Sequence, residues 1–210
     1  MSVVVAIKEN DRVYIGCDSQ ATQGGSRTTL KNPNNYKVWN VLPVNNCLMA
    51  SVGNVRDACV IRTMTDLVSD YDVFKDCIDF DYVVNNIVPH IIYRLKEVKY
   101  LNDEPVFEGF ESVFLFTYKD KLFHITNDGS VIEIEDFVAI GSGKNEAIGS
   151  LLSTDGLKPE ERIIKAIKAS AASDIYVDYP IIITNTVDQR FDIITQDNEE
   201  SYIKYSNKLK

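Results

Sequence analysis

Ser2 is a hydroxyl residue one step from the start of the chain, and Asp18 is a carboxylate that follows Gly16-Cys17. Between them lie two short apolar β-type runs, Val3 to Ile7 and Val13 to Ile15, flanking the polar turn Lys8-Glu9-Asn10-Asp11. That pattern predicts a hairpin, and the two ends of a hairpin meet in space. A nucleophile candidate is therefore expected beside a carboxylate. Removal of Met1 would give Ser2 a free α-amine, whose ordinary pKa of about 7.7 to 8 leaves a useful fraction neutral and basic at physiological pH. One residue would then supply nucleophile and base together.

The 210 residues are most economically one domain, and nothing in the composition marks a second. Hydrophobic content of 45% and charged content of 25% are those of an ordinary soluble globular protein. A formal charge of −9 argues against nucleic acid and anionic membranes as partners, because both are bound through basic patches. Cys17, Cys47, Cys59 and Cys77 lack paired metal spacing, and no leader-like stretch precedes the first strand, so reduced thiols and a cytoplasmic location are expected. No apolar run is long enough to span a bilayer. His90 and His124 stand far apart in apolar surroundings and make no metal pair.

Several elements must position Ser2 and Asp18. After Asp18 the sequence reads as a polar loop, Ser19 to Ser26, and then an Asn-rich segment ending in Tyr36-Lys37-Val38-Trp39. Strands are expected at Val38 to Val41 and Cys47 to Val52, followed by the turn Gly53-Asn54 and a helix over Val55 to Val68 with an apolar face that includes Ala58 and Cys59. A second helix, Phe80 to Val98, contains Pro89, which should kink or divide it. Lys99 to Gly109 reads as a loop insertion.

Strands follow at Ser112 to Tyr118, Leu122 to Thr126, Val131 to Ile134 and Phe137 to Ile140, with Asp128-Gly129 as a hairpin turn. A helix starts after Gly141-Ser142-Gly143, and Pro159 opens another. Ile181 to Thr186 and Phe191 to Thr195 are the last strands, and residues 197–210 read as a polar, mobile tail. Runs of strands and runs of helices in this order predict an α+β domain of two mainly antiparallel sheets, face to face, with helix pairs outside.

The stretches Ser2-Val-Val-Val-Ala-Ile, Gly16-Cys-Asp-Ser-Gln-Ala-Thr22, Gly53-Asn-Val-Arg-Asp57, Ala139-Ile-Gly-Ser-Gly143 and Ala172-Ser-Asp-Ile175 come in the order of the signature stretches of proteasome β-type subunits. The chain resembles those subunits and the HslV-type bacterial proteasome-like peptidase from Ser2 to about Thr195. The resemblance implies the four-layer α-β-β-α fold of the N-terminal nucleophile hydrolases and a peptidase that needs no metal or organic cofactor. Its substrate would be unfolded polypeptide. It also implies a homo-oligomeric ring or double ring, fed by an AAA+ ATPase unfoldase.

By that resemblance Ser2 takes the place of the N-terminal threonine nucleophile, Asp18 that of the acidic partner and Lys37 that of the buried lysine. Gly53 matches the oxyanion donor, and Ser142 and Asp174 match the outer residues that orient the terminal amine and its water. Thr22, Ser51 and Val55 match positions along the bound peptide and its first pocket. The chain departs from the pattern in its Ser at the nucleophile position, in Asn54, in the long cation Arg56 near the expected cleft, and in Val177 where the family has a further serine. With Met1 attached the amine does not exist, so two other readings stand beside the peptidase: an idle structural or assembly protein that retains Met1, and an amidase acting on a small molecule.

Overall fold

A computed structural model describes residues 2–99 and 109–206. Met1, nearly all of the expected insertion at about 99–109 and the last four residues of the expected tail lie outside the described residues.

The terminal hairpin forms as its sequence predicts. Strand β1, Val3–Glu9, pairs antiparallel with β2, Arg12–Cys17, and the turn tightens to Asn10-Asp11, both in the left-handed region that a two-residue hairpin turn requires. Val4 faces Cys17 in the register, so Ser2 and Asp18 emerge at the same end. On its other edge β1 pairs with β10, Phe137–Gly141, and β2 pairs with β11, Ile181–Asn185, which carries β12, Asp192–Ile194. The second sheet holds β5, Val38–Asn40, β6, Cys47–Gly53, β7, Ser112–Tyr118, β8, Lys121–Ile125, and β9, Val131–Glu133, in that order.

Strand β1 shows why the layers stack as they do. Val4 and Ala6 point into the space between the sheets, where they meet Leu48, Ala50 and Leu115. Val3, Val5 and Ile7 point outward onto helices α5, Lys144–Ser153, and α6, Pro159–Ser173, through Ala147, Ile163 and Ile167. A strand buried on both faces must be apolar, and β1 is apolar from Val3 to Ile7, turning polar only at Lys8 and Glu9 where burial falls off. The outer face of the second sheet, with Met49, Phe114, Phe116 and Phe123, is covered by α1, Val55–Arg62, and α4, Val88–Lys99. The result is the expected α-β-β-α sandwich.

Four local readings change. The segment after Asp18 is not a loop: Gln20–Gln23 (β3) and Ser26–Thr29 (β4) form a two-stranded ribbon whose polar residues gave no alternation to read. Helix α1 stops at Arg62, where the Thr63 hydroxyl caps the Val60 carbonyl, and a separate helix α2, Asp70–Lys75, starts at the N-cap Ser69. The Pro89 helix divides earlier than the proline itself. A short α3, Phe80–Tyr82, leads into a wide π turn over Val83–Ile87, which spaces the carbonyls that Pro89 cannot serve before α4 resumes. The polar tail folds into α7, Glu199–Ser206, where Tyr202 and Ile203 pack on the α6 side and Lys168 Nζ pairs with Glu199 at 2.7 Å.

Candidate active site

Ser2 sits at the mouth of β1, gripped by the turn that follows β10. Its N–H donates to Ser142 Oγ at 3.0 Å, the Ser142 hydroxyl lies 3.3 Å from the Ser2 carbonyl as donor, and the Gly143 N–H reaches the same carbonyl at 3.4 Å. Ser142 is not the N-cap of α5; that place belongs to Gly143, which makes no side-chain bond. The hydroxyl is thus committed to Ser2. Gly141 has φ +103°, and a β-carbon on it would stand 2.1 Å from the Ser2 carbonyl oxygen, so only glycine allows the turn to close this far.

Asp18 is fully buried and satisfied on both oxygens. Oδ1 accepts from the Val3 N–H at 2.9 Å and from Lys37 Nζ at 2.6 Å, and Oδ2 accepts from the Gln20 N–H at 2.9 Å. Burial pushes this carboxyl upward, opposed by the Lys37 ammonium and the two backbone N–H groups. Lys37 also donates to the Gln20 carbonyl at 2.7 Å, which leaves one of its three N–H groups for the cleft that it lines together with Ser2. Burial pushes the neighbouring Cys17 thiol up to about 12, so it stays a neutral filler between the sheets.

Gly53 ends β6 with φ +121°, and a β-carbon there would meet the Glu111 carbonyl at 2.3 Å. Beyond it Asn54 caps α1 by accepting from the Arg56 N–H at 2.7 Å. The Asn54 N–H is held by Ser112 Oγ at 3.0 Å, and Ser112 donates in turn to the buried Asp57 carboxylate at 2.9 Å. The Gly53–Asn54 peptide is therefore fixed from behind by a buried hydroxyl and a buried carboxylate.

A cleft of about 240 Å3 opens between these parts. Ser2, Lys37, Gly53, Thr22, Ser51 and Val55 all line it. Asp18 lies beneath Lys37. Ser142 stands behind Ser2, and Asp174 lies one step further back at the end of α6: its N–H bonds the Ser170 carbonyl, while the Ser170 hydroxyl donates to the Gly143 carbonyl at 2.7 Å. Asp174 Oδ1 accepts from the Tyr176 N–H, and its buried Oδ2 has no hydrogen-bond partner among the described residues.

Sequence reasoning placed Val55 at this cleft but missed the rest of its α1 wall. Val55, Ala58, Cys59 and Arg62 recur at helical spacing along α1 and all line it. The sequence puts Ala58 and Cys59 on the apolar face of α1; Ala58 does pack against the core while lining the cleft, but Cys59 is exposed, and Val60 and Ile61 are the buried apolar residues of α1. The cation near the cleft is also a different one. Arg56 is exposed and donates weakly to the Val98 carbonyl at 3.5 Å, while Arg62 reaches the cleft. The α1 periodicity held this information, but small apolar residues on a helix do not say which of two faces is covered.

Among the described residues no helix is long and apolar enough to cross a membrane. Comparison with known proteins agrees with the geometry. BPH of Thiobacillus denitrificans in complex with epoxomicin superposes with a TM-score of 0.67 at 19% identity, over 92% of this chain and 99% of that one. HslV from Trypanosoma brucei superposes with a TM-score of 0.61 at 16% identity, over 87% of this chain and 98% of that one. Those likenesses speak to the fold. A sequence model of the family described as "Proteasome subunit" matches residues 2–177, most of the chain. The chain belongs to the proteasome subunit family and carries its β-type, HslV-like N-terminal nucleophile hydrolase fold.

Proposed function

We propose that this chain is a proteolytic subunit that cleaves peptide bonds of unfolded polypeptide with Ser2 as nucleophile once Met1 has been removed. The observation that carries the reading is the convergence of Ser2, the Lys37–Asp18 pair and Gly53 on one cleft, with the Ser2 nitrogen held by Ser142. The α-amine takes the Ser2 hydroxyl proton, directly or through a water, as Oγ attacks the scissile carbonyl. The Lys37 ammonium lowers the cost of the alkoxide and Asp18 balances its charge. The Gly53 N–H receives the oxyanion. Collapse expels the amine product with the proton from the α-amine, and water then hydrolyses the Ser2 ester, returning the hydroxyl.

Thr22 on β3 and Ser51 on β6 flank the cleft and would border an extended peptide, and Val55 would border its first pocket. Ser142 keeps the amine in place, and Asp174 supports that turn from the end of α6. No metal or organic cofactor enters these steps. A soluble cytoplasmic homo-oligomeric ring, with an AAA+ ATPase delivering unfolded chains, would confine so open a site.

The test is the intact mass of the protein from its natural host together with hydrolysis of fluorogenic peptides by wild type and Ser2→Ala. Loss of Met1 and a rate that vanishes in Ser2→Ala support the reading. Retained Met1 with no hydrolysis gives the idle scaffold instead, and turnover of small acyl amides with none of peptides gives the amidase.

A further inference from the structure

We infer that the cleft beside Ser2 selects an acidic side chain on the residue whose carbonyl is attacked, and that Arg62 is the side chain that reads it. The inference rests on the proposed peptidase reading for its substrate, but the charge pattern behind it belongs to the cleft alone. Arg62 closes the α1 face that lines the cleft. Its guanidinium stacks 4.8 Å from the Trp39 ring centroid and donates one Nη2 hydrogen to the Tyr36 carbonyl. Stacking fixes the plane of the fork; Nε is buried, and among the described residues no carboxylate forms an ion pair with Arg62, which leaves the other Nη donors for the cleft.

The other cation of the cleft is already answered, since Lys37 holds Asp18 at 2.6 Å. Among the described residues no Asp or Glu lines the walls. One uncompensated positive charge therefore sits in a concave, half-desolvated site on a protein whose formal charge is −9. Charge in a cleft with low-dielectric walls acts more strongly than on an open surface, and a carboxylate is the group that a guanidinium fork binds best. A purely structural Arg62, tying α1 to the Tyr36 carbonyl, would bind Glu and Gln side chains alike.

The experiment compares fluorogenic acetyl-tripeptides that differ only in the final residue, Glu against Gln and Asp against Asn, on wild type, Arg62→Gln and Arg62→Lys. The acid is expected to exceed its amide by about tenfold or more in kcat/KM, the worth of one charge-assisted hydrogen bond. That ratio should fall to about one in Arg62→Gln and be partly kept in Arg62→Lys. Because each ratio is taken within one protein sample, partial misfolding of a variant does not mimic the effect. A wild-type ratio of one or less overturns the inference, as does a ratio that survives Arg62→Gln, and in both cases the peptidase reading stands. If no peptide is cleaved, fluorescence anisotropy of the same labelled peptides decides. Preference for the acid that depends on Arg62 keeps the pocket while the peptidase reading falls, and equal binding removes the pocket as well.

Discussion

The backbone carbonyl oxygen of Ser2 lies 2.1 Å from where a β-carbon on Gly141 would stand, so the turn that holds the proposed nucleophile has no room for a side chain at position 141. Gly141→Ala should displace Ser2 and cost about 1–3 kcal/mol for the forced φ alone. A shift of the nucleophile by about 1 Å is worth about 100-fold in rate. Gly156→Ala is the matched control, since Gly156 also has positive φ, +84°, but open space around it. The expectation is a lowered Tm in both variants and lost peptide hydrolysis in Gly141→Ala alone. Equal activity in the two would show that the turn does not set Ser2.

Lys37 and Asp18 form a buried pair, and breaking such a pair from one side leaves an uncompensated charge. Asp18→Asn should cost about 3–5 kcal/mol in chemical denaturation. Adding Lys37→Met removes the stranded ammonium and should restore part of that stability. Activity should not return in the double variant, because the ammonium beside the hydroxyl is gone. Recovery of hydrolysis along with stability would mean that the pair is only structural.

The Cys17 thiol gives the fold a dependence on alkaline pH with a definite sign. Its pKa is raised from 9.0 to about 12 by burial, so the folded state favours the neutral thiol. The stability this contributes is complete below pH 9, where the unfolded thiol is also protonated, and is lost as the pH rises from 9 towards 12. Three pKa units correspond to roughly 4 kcal/mol. Between pH 9 and 11, Tm should fall faster in wild type than in Cys17→Ala. Parallel curves would show that the thiol ionises as readily in the folded protein as in the unfolded one.

Much of this arrangement was legible because local and tertiary demands coincided. Asn10-Asp11 between two apolar runs specifies a hairpin, and the hairpin alone carries Ser2 to Asp18. Gly53 and Gly141 stand where the backbone needs positive φ. The β3–β4 ribbon was hidden because its strands are polar and half exposed, leaving no buried face to imprint alternation. Helix α7 was hidden because, among the described residues, its apolar packing on the α6 side comes from Tyr202 and Ile203 alone, set in a polar run. Arg62 was missed for a different reason. A cation within an expected helix reads as a solvated charge, and only the fold shows Trp39 behind it and a cleft in front.

Ser112 offers a way to separate the oxyanion donor from the rest of the site. Its hydroxyl lies between Asp57 and the N–H of Asn54, the residue after Gly53, so it holds the peptide on the far side of the proposed donor. An interaction that places a transition-state donor affects kcat far more than KM. Ser112→Ala should therefore lower kcat by on the order of tenfold with KM little changed, a fraction of what removing a donor outright costs. Ser112→Thr keeps the hydroxyl and should recover most of the loss. If Ser112→Ala lowers Tm but leaves kcat at the wild-type value, the hydroxyl supports the fold and plays no part in aiming Gly53.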